Sequence, residues 1–363
     1  MKAAVLYSEN YFVYEEVDIS PCQEDEVKIK VMAAGICGSD THKMTSKWKY
    51  DLPAIMGHEF SGVIVEKGSA VSHLTLGERV VGIPFLPCHS CEYCKRGQFS
   101  LCEDYGMIGS KSPGAFAEYV NIKATNVLPV GNMRFEEAAM IEPLAVALHG
   151  VLNISPRIGD VVAVFGVGTI GILVIEWLKV SGVQEIIAID ISEEKLNYAK
   201  SIGCKRTINP LKEDLAIKIK EYTNGLGVDI ALECAGSKIT QEQCLLVIRK
   251  QGKVGYLGIA YSDVLLSEQA FENIFRRELT LKGFWNSYSA PFPGEEWTKS
   301  IEFLLQKRIQ IRDLISHRFN LEETQKAFNM IINQEEPFNK VLILPNGQEA
   351  IDQEETTKHC FVK

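Results

Sequence analysis

The chain has 363 residues, 46% of them hydrophobic and 23% charged, which suits an ordinary globular protein of two or three domains with full cores. A formal net charge of −9 speaks against nonspecific attraction to nucleic acid or to an anionic membrane, so neither is expected as a partner, although a local basic pocket for an anionic substrate stays open. The chain begins in a strand-like stretch, Met1–Tyr7, without a secretory pattern; a cytoplasmic location is expected, where ten Cys read as metal ligands or buried side chains rather than disulfides.

Up to about residue 150 the pattern is one of short strands and turns, with Glu26–Ala33, Gly62–Glu66, Arg79–Ile83 and Ala117–Ile122 as strands. From about residue 155, apolar runs alternate with helical stretches. The runs are Val161–Phe165, Glu185–Ile189, Asp229–Leu232, Lys253–Leu257 and Leu279–Lys282. The helices are Thr169–Ser181, Glu193–Ile202, Leu215–Thr223 and Thr240–Ile248. That alternation predicts an α/β unit with a doubly wound parallel sheet. The most apolar segment, Val161–Leu178, contains three Gly and Glu176, so it reads as a buried strand, turn and helix rather than a membrane span. Helices over Glu295–Gln306 and Leu321–Asn333 and a strand over Lys340–Leu344 read as a return to the first domain. Residues 346–363 are expected to be a mobile polar tail, and Cys360-Phe361-Val362-Lys363 is a poor prenylation box.

Cys88-x2-Cys91-x2-Cys94-x7-Cys102 places four thiolates on one loop, which suits a closed, tetrahedral structural Zn²⁺ site. An iron–sulfur cluster and plain buried cysteines are the rivals; the long last spacing and the absence of Pro after Cys102 count against the cluster. A second group, Cys37, His58 and Glu142, has the ligand count of a catalytic zinc, with Glu59 or water in the fourth place. Cys22, Cys204, Cys234, Cys244 and Cys360 match no ligand spacing; the first four read as buried packing residues.

Gly57-His58-Glu59-x2-Gly62-x5-Gly68-x2-Val71 follows Cys37-Gly38-Ser39-Asp40 and precedes the four-cysteine lobe. In that order the motifs resemble those of the zinc-dependent medium-chain dehydrogenase/reductase superfamily, over residues ~1–345. The resemblance implies a GroES-like β-rich catalytic domain (1–154 and 290–345) and a Rossmann cofactor domain (155–289). It makes Cys37, His58 and Glu142 ligands of a catalytic zinc, with Glu59 bound directly or through water as in the polyol branch. Asp40 then orients His58, Ser39 accepts the substrate proton and His42 passes it on. It also implies a homodimer or homotetramer built through the edges of the cofactor-domain sheets.

Gly166-Val167-Gly168-Thr169-Ile170-Gly171 follows a strand and opens a helix, the setting of a dinucleotide fingerprint. Asp190 ends the next strand, where a carboxylate binds the adenosine ribose and repels a 2′-phosphate. NAD is therefore favoured over NADP, with Lys195 a candidate at the ribose edge. The stretch Arg277–Trp297, Pro84–Cys88 and His58–Gly62 resemble the galactitol-1-phosphate 5-dehydrogenases. The implied reaction is oxidation of a small polyol phosphate, galactitol 1-phosphate to tagatose 6-phosphate. His42 follows the sorbitol pattern and keeps unphosphorylated polyols and other secondary alcohols in play. A non-catalytic zinc- or cofactor-binding protein is the alternative of another class. Lys43, Lys47, Lys49, Arg276 and Arg277 are the candidates to hold a phosphate. Phe284, Trp285 and Tyr288 wall a pocket or fill a core.

Overall fold

Alternation along Glu26–Gly35 sets the first sheet. Val27, Ile29 and Val31 point inward and are buried, while Glu26, Lys28 and Lys30 lie on the other face. In the computed structural model, which describes residues 1–45 and 51–357 (the side chains of Lys43, Thr45 and residues 355–357 excepted), this strand pairs antiparallel with Glu59–Lys67, Tyr119–Lys123 and Lys340–Leu344. Together with Arg79–Gly82, Val127–Pro129 and Ile315–Asn320 they make a seven-stranded sheet. Its register sets Glu59 opposite Gly35 on one side and Leu342 opposite Gly35 on the other. One core runs beneath it, from Ala4 and Leu6 through Phe60 and Phe116 to Phe328 and Ile343. This β-rich unit comprises Met1–Glu142 and Tyr288–Lys363.

Pro143–Ser287 forms the second unit. Six parallel strands, Val161–Phe165, Glu185–Ile189, Arg206–Ile208, Val228–Glu233, Ile248–Tyr256 and Thr280–Gly283, lie in the order third, second, first, fourth, fifth, sixth. Runs such as Val-Val-Ala-Val-Phe are apolar because both faces of the sheet are covered. The order reverses between the first and fourth strands, which is where doubly wound sheets open a ligand crevice.

The structure departs from the sequence reading in several places. The third strand, Arg206–Ile208, was not expected; it is three residues long and only Ile208 is buried. Helices over Gly38–Thr45 and Glu268–Arg276 were also unforeseen. The helix Ile141–Ile154 contributes most of its length to the second unit, ahead of the expected boundary at residue 154. Trp177 Nε1 donates to Leu144 O at 3.0 Å, and Lys253 Nζ donates to Ile154 O at 2.8 Å, fastening both ends of that stretch. The expected mobile tail instead carries a helix, Gly347–Thr357. Ile351 is fully buried there, and Arg79 donates to Glu354 O at 2.6 Å. Cys360 and the rest of 358–363 lie outside the described residues. Among the described residues no helix is long and apolar enough to cross a membrane.

Candidate metal centres and dinucleotide crevice

The four-cysteine loop folds around its own sulfurs. One ligand atom from each of Cys88, Cys91, Cys94 and Cys102 lies within 4.8 Å of the others. Backbone N–H groups of Ser90 and Cys91 donate to Cys88 Sγ at 3.4 and 3.3 Å, that of Cys94 to Cys91 Sγ at 3.5 Å, and that of Cys88 to Cys102 Sγ at 3.3 Å. The Ser90 hydroxyl and these N–H groups pull the Cys88 thiol down to about 5. Burial pushes Cys94 up to about 12 and raises Cys102. Four convergent sulfurs with N–H donors turned toward them fit a closed tetrahedral Zn²⁺ site, whose binding supplies the energy to hold a loop with little core.

The second group lies where the Glu26–Gly35 strand hands over to the Gly38–Thr45 helix. Cys37, His58 and Glu59 each bring a ligand atom within 4.8 Å of the others. Asp40, fully buried, sets Oδ1 3.3 Å from His58 Nδ1, while its Oδ2 accepts the Cys37 N–H at 3.1 Å. The carboxylate therefore favours the His58 tautomer protonated on Nδ1, which leaves the Nε2 lone pair to face a metal. Burial works against a charged His58, yet the Asp40 charge and the bonds to Asp40 and Cys37 hold its pKa well above the ordinary value. A thiolate, an imidazole and a carboxylate, largely buried and oriented from behind, suit a divalent transition metal.

Glu142 does not join this group within 4.8 Å of all three members. It is nonetheless a close electrostatic neighbour. Burial pushes its carboxyl up to about 7, with His58 and Lys340 lowering and Glu59 and Asp40 raising it. Cys37, His58 and Glu59 are thus the candidate ligands that converge, and Glu142 lies beside them. Ser39 is half-buried on the Gly38–Thr45 helix and its N–H donates to Cys37 Sγ at 3.4 Å; His42 lies one turn on, also half-buried.

Sequence reasoning missed Lys340. It is buried, pairs with Glu59 and donates to Ile36 O at 2.9 Å. Gly35 is what makes the pair possible, because a Cβ there would collide with Glu59 Oε2 and approach Lys340 Cε at 2.7 Å. Tyr288 proves to be a core residue: it is buried, stacked 4.4 Å from Phe85, and tied to Ser100, whose Oγ accepts the Tyr288 N–H at 2.8 Å. Its hydroxyl has no hydrogen-bond partner among the described residues, and burial followed by the Glu142 charge raises its pKa well above the ordinary value. Trp285 is half exposed instead.

In the parallel unit, Gly166 has φ +81°, and a Cβ on Gly171 would overlap Gly166 O. Gly168 caps the helix Thr169–Ser181 without a side chain, so the first N–H groups stay open to an anion. Asp190 is fixed at the mouth of this loop. Its Oδ2 accepts the Val167 N–H at 2.8 Å and its Oδ1 the Ser192 N–H at 2.9 Å. Lys195 Nζ lies 3.9 Å from where a Cβ on Gly168 would be. Ile170 is half-buried beside the loop. Glycines, helix N-terminus and strand-end carboxylate together fit a dinucleotide.

Of the cations considered for a phosphate, Arg276 pairs with Glu272 at 3.0 Å, and the Arg277 guanidinium bonds Ile248 O. Lys47 and Lys49, and the Lys43 side chain, lie outside the described residues. Cys204 and Cys244 are buried as expected, but Cys22 and Cys234 are only partly so; Cys22 Sγ donates to Glu26 O at 3.4 Å.

Known proteins share this arrangement. Residues 23–132 match the alcohol dehydrogenase GroES-like domain, and residues 169–306 match the zinc-binding dehydrogenase domain. Galactitol 1-phosphate 5-dehydrogenase of Escherichia coli (strain K12) is 36% identical over 325 residues, covering 89% of this chain and 93% of that one. Sorbitol dehydrogenase of Bacillus subtilis (strain 168) is 32% identical, covering 95% and 98%. The crystal structure of galactitol-1-phosphate dehydrogenase from Escherichia coli superposes with a TM-score of 0.90 at 34% identity, covering 95% of this chain and 100% of that one. The chain belongs to the zinc-binding dehydrogenases with a GroES-like domain, a family of oxidoreductases acting on alcohols and polyols.

Proposed function

We propose that the chain oxidises a polyol phosphate to a ketose phosphate with NAD, and that galactitol 1-phosphate, giving tagatose 6-phosphate, is the substrate. The observation that carries the chemistry is the convergence of Cys37, His58 and Glu59, with Asp40 behind the imidazole. The 36% identity with a galactitol 1-phosphate 5-dehydrogenase supports the choice of substrate. A zinc ion held by these residues supplies a Lewis acid for the carbinol oxygen, and the nicotinamide supplies the hydride acceptor. The rest falls to the chain's own side chains. Ser39 takes the hydroxyl proton and His42 carries it outward. Glu142, beside the imidazole, would accept a hydrogen bond from a substrate hydroxyl. Asp190, anchored by two backbone N–H groups, holds negative charge where NADP would bring a 2′-phosphate, so NAD is the cofactor. The four-cysteine lobe holds the second, purely structural zinc.

An unphosphorylated polyol is the second reading. It is favoured by the engagement of Arg276 and Arg277 with protein partners, which removes two of the candidate phosphate ligands. Incubation with NAD+ and a matched panel of free and phosphorylated polyols decides between them. Galactitol 1-phosphate is expected to show the highest kcat/KM; faster turnover of every free polyol would overturn the phosphate assignment. A second copy of the chain is the proposed partner, docking on the exposed edge strand Thr280–Gly283.

A further inference from the structure

Glu233 ends the fourth strand of the parallel sheet and is fully buried, although it belongs to neither metal group nor to the glycine loop. Burying a carboxylate is costly unless donors surround it, and an apolar side chain is commonly cheaper at such a position. Here the donors are local and numerous. Glu233 Oε1 accepts the N–H groups of Ala235 and Gly236 at 2.9 and 3.0 Å and the Thr240 hydroxyl at 2.7 Å; Oε2 accepts Gly236 N–H again at 3.2 Å. The backbone carbonyl of the same residue accepts the N–H groups of Leu257 and Gly258 at 2.9 and 3.0 Å.

These bonds reach three strand ends. The Cys234 N–H donates at 2.8 Å to Phe165 O, the carbonyl immediately before Gly166. Ala235 presses on that glycine, so that a Cβ on Gly166 would lie 2.6 Å from the Ala235 Cβ. On the other side, a Cβ on Gly258 would lie 2.5 Å from Glu233 Oε2. The carboxylate thus shapes its own loop, after the fourth strand, and the backbone of that same stretch bonds the ends of the first and fifth strands. The first and fourth strands are the pair between which the strand order reverses, where the crevice of a doubly wound sheet lies.

We propose that Glu233 is a positioning residue for the dinucleotide: by gathering the 234–237 turn, it holds the Gly166–Gly168 backbone in the shape that receives the pyrophosphate. Its charge is taken up by its own loop's donors, so it acts through the turn and not by touching the anion. The inference rests on the crevice being an NAD site. An isosteric amide keeps the volume but turns an NH2 group toward at least one donor, leaving that donor buried and unmatched.

The test is calorimetric titration of NAD+ into wild-type and Glu233→Gln protein, alongside thermal unfolding and steady-state kinetics. Dissociation constants roughly tenfold higher are expected, the consequence of spoiling about one charge-assisted hydrogen bond. KM for NAD+ rises while kcat at saturating NAD+ is retained. A variant that unfolds earlier but binds NAD+ as tightly as wild type overturns this role and leaves Glu233 a purely structural residue. A wild-type chain that binds no NAD+ removes the reading of the crevice, and this role with it. If Glu233→Gln does not fold, Thr240→Val, which deletes a single donor, decides in the same way: weakened NAD+ binding supports the role and unchanged binding overturns it.

Discussion

Lys340 and Glu59 show what a single pair contributes beside the candidate metal site. Both side chains are buried, and each supplies the other's counter-charge. Removing one partner of such a pair strands the other in a low-dielectric interior, so Lys340→Met is expected to cost about 3 kcal/mol in the metal-free protein. Denaturant unfolding after chelation measures it, and unchanged stability would show that the pair is not a structural requirement. The residues named from the sequence, Cys37, His58 and Glu59, lie in motifs where residue type and close spacing carry the chemistry. Lys340 and Gly35 do not. Their roles depend on the pairing of strands remote in the chain, which sets Gly35 between Glu59 and Leu342. Glu142 shows the same limit from the other side: its residue type suited a ligand, but its placement beside the converged trio emerges only from the fold.

Among the elements, the turn into helix Thr324–Asn333 is stabilised by a capping box. The Asn320 side chain accepts a backbone N–H while the Asn320 N–H donates to Glu323 Oε2 at 3.1 Å. Asn320→Ala is expected to cost about 1 kcal/mol, read from the thermal midpoint. The pH dependence follows from Glu323, whose carboxyl is held below its ordinary value, chiefly by the Asn320 N–H. A depressed folded pKa contributes stability above the unfolded value that is lost as pH falls through the folded one. The stability gap between wild type and Glu323→Ala should therefore be present at neutral pH and close in acid; a gap that widens in acid would refute the assignment. Long, periodic elements were legible from the chain: Thr169–Ser181, Val161–Phe165 and Lys340–Leu344 fall where apolar spacing put them. Arg206–Ile208 was not, because three residues with one buried side chain are too few to show a strand's two-residue alternation. The helix Gly347–Thr357 was missed because only Ile351 is buried among its described side chains.

At the scale of the molecule, the two ends of the parallel sheet differ. Arg206–Ile208 is partly covered, whereas all four residues of Thr280–Gly283 are exposed, with Leu281, Trp285 and the Phe271–Phe275 pair also open to solvent. An uncovered edge of this kind is a template for another strand. On the proposed association through this edge, Leu281→Lys shifts the sedimentation profile in analytical ultracentrifugation toward monomer, and an unchanged profile would rule out this edge as the interface. The chain order of the two units has a further consequence, during synthesis. Pro143–Ser287 is contiguous and can close as soon as it leaves the ribosome, but the β-rich unit cannot. Its sheet takes a strand from Lys340–Leu344, and Glu59 waits for Lys340 from that same strand. The Cys37–His58–Glu59 cluster is thus among the last things a growing chain completes, and a product stopped before residue 340 carries Cys37 and His58 without the lysine that balances their neighbour.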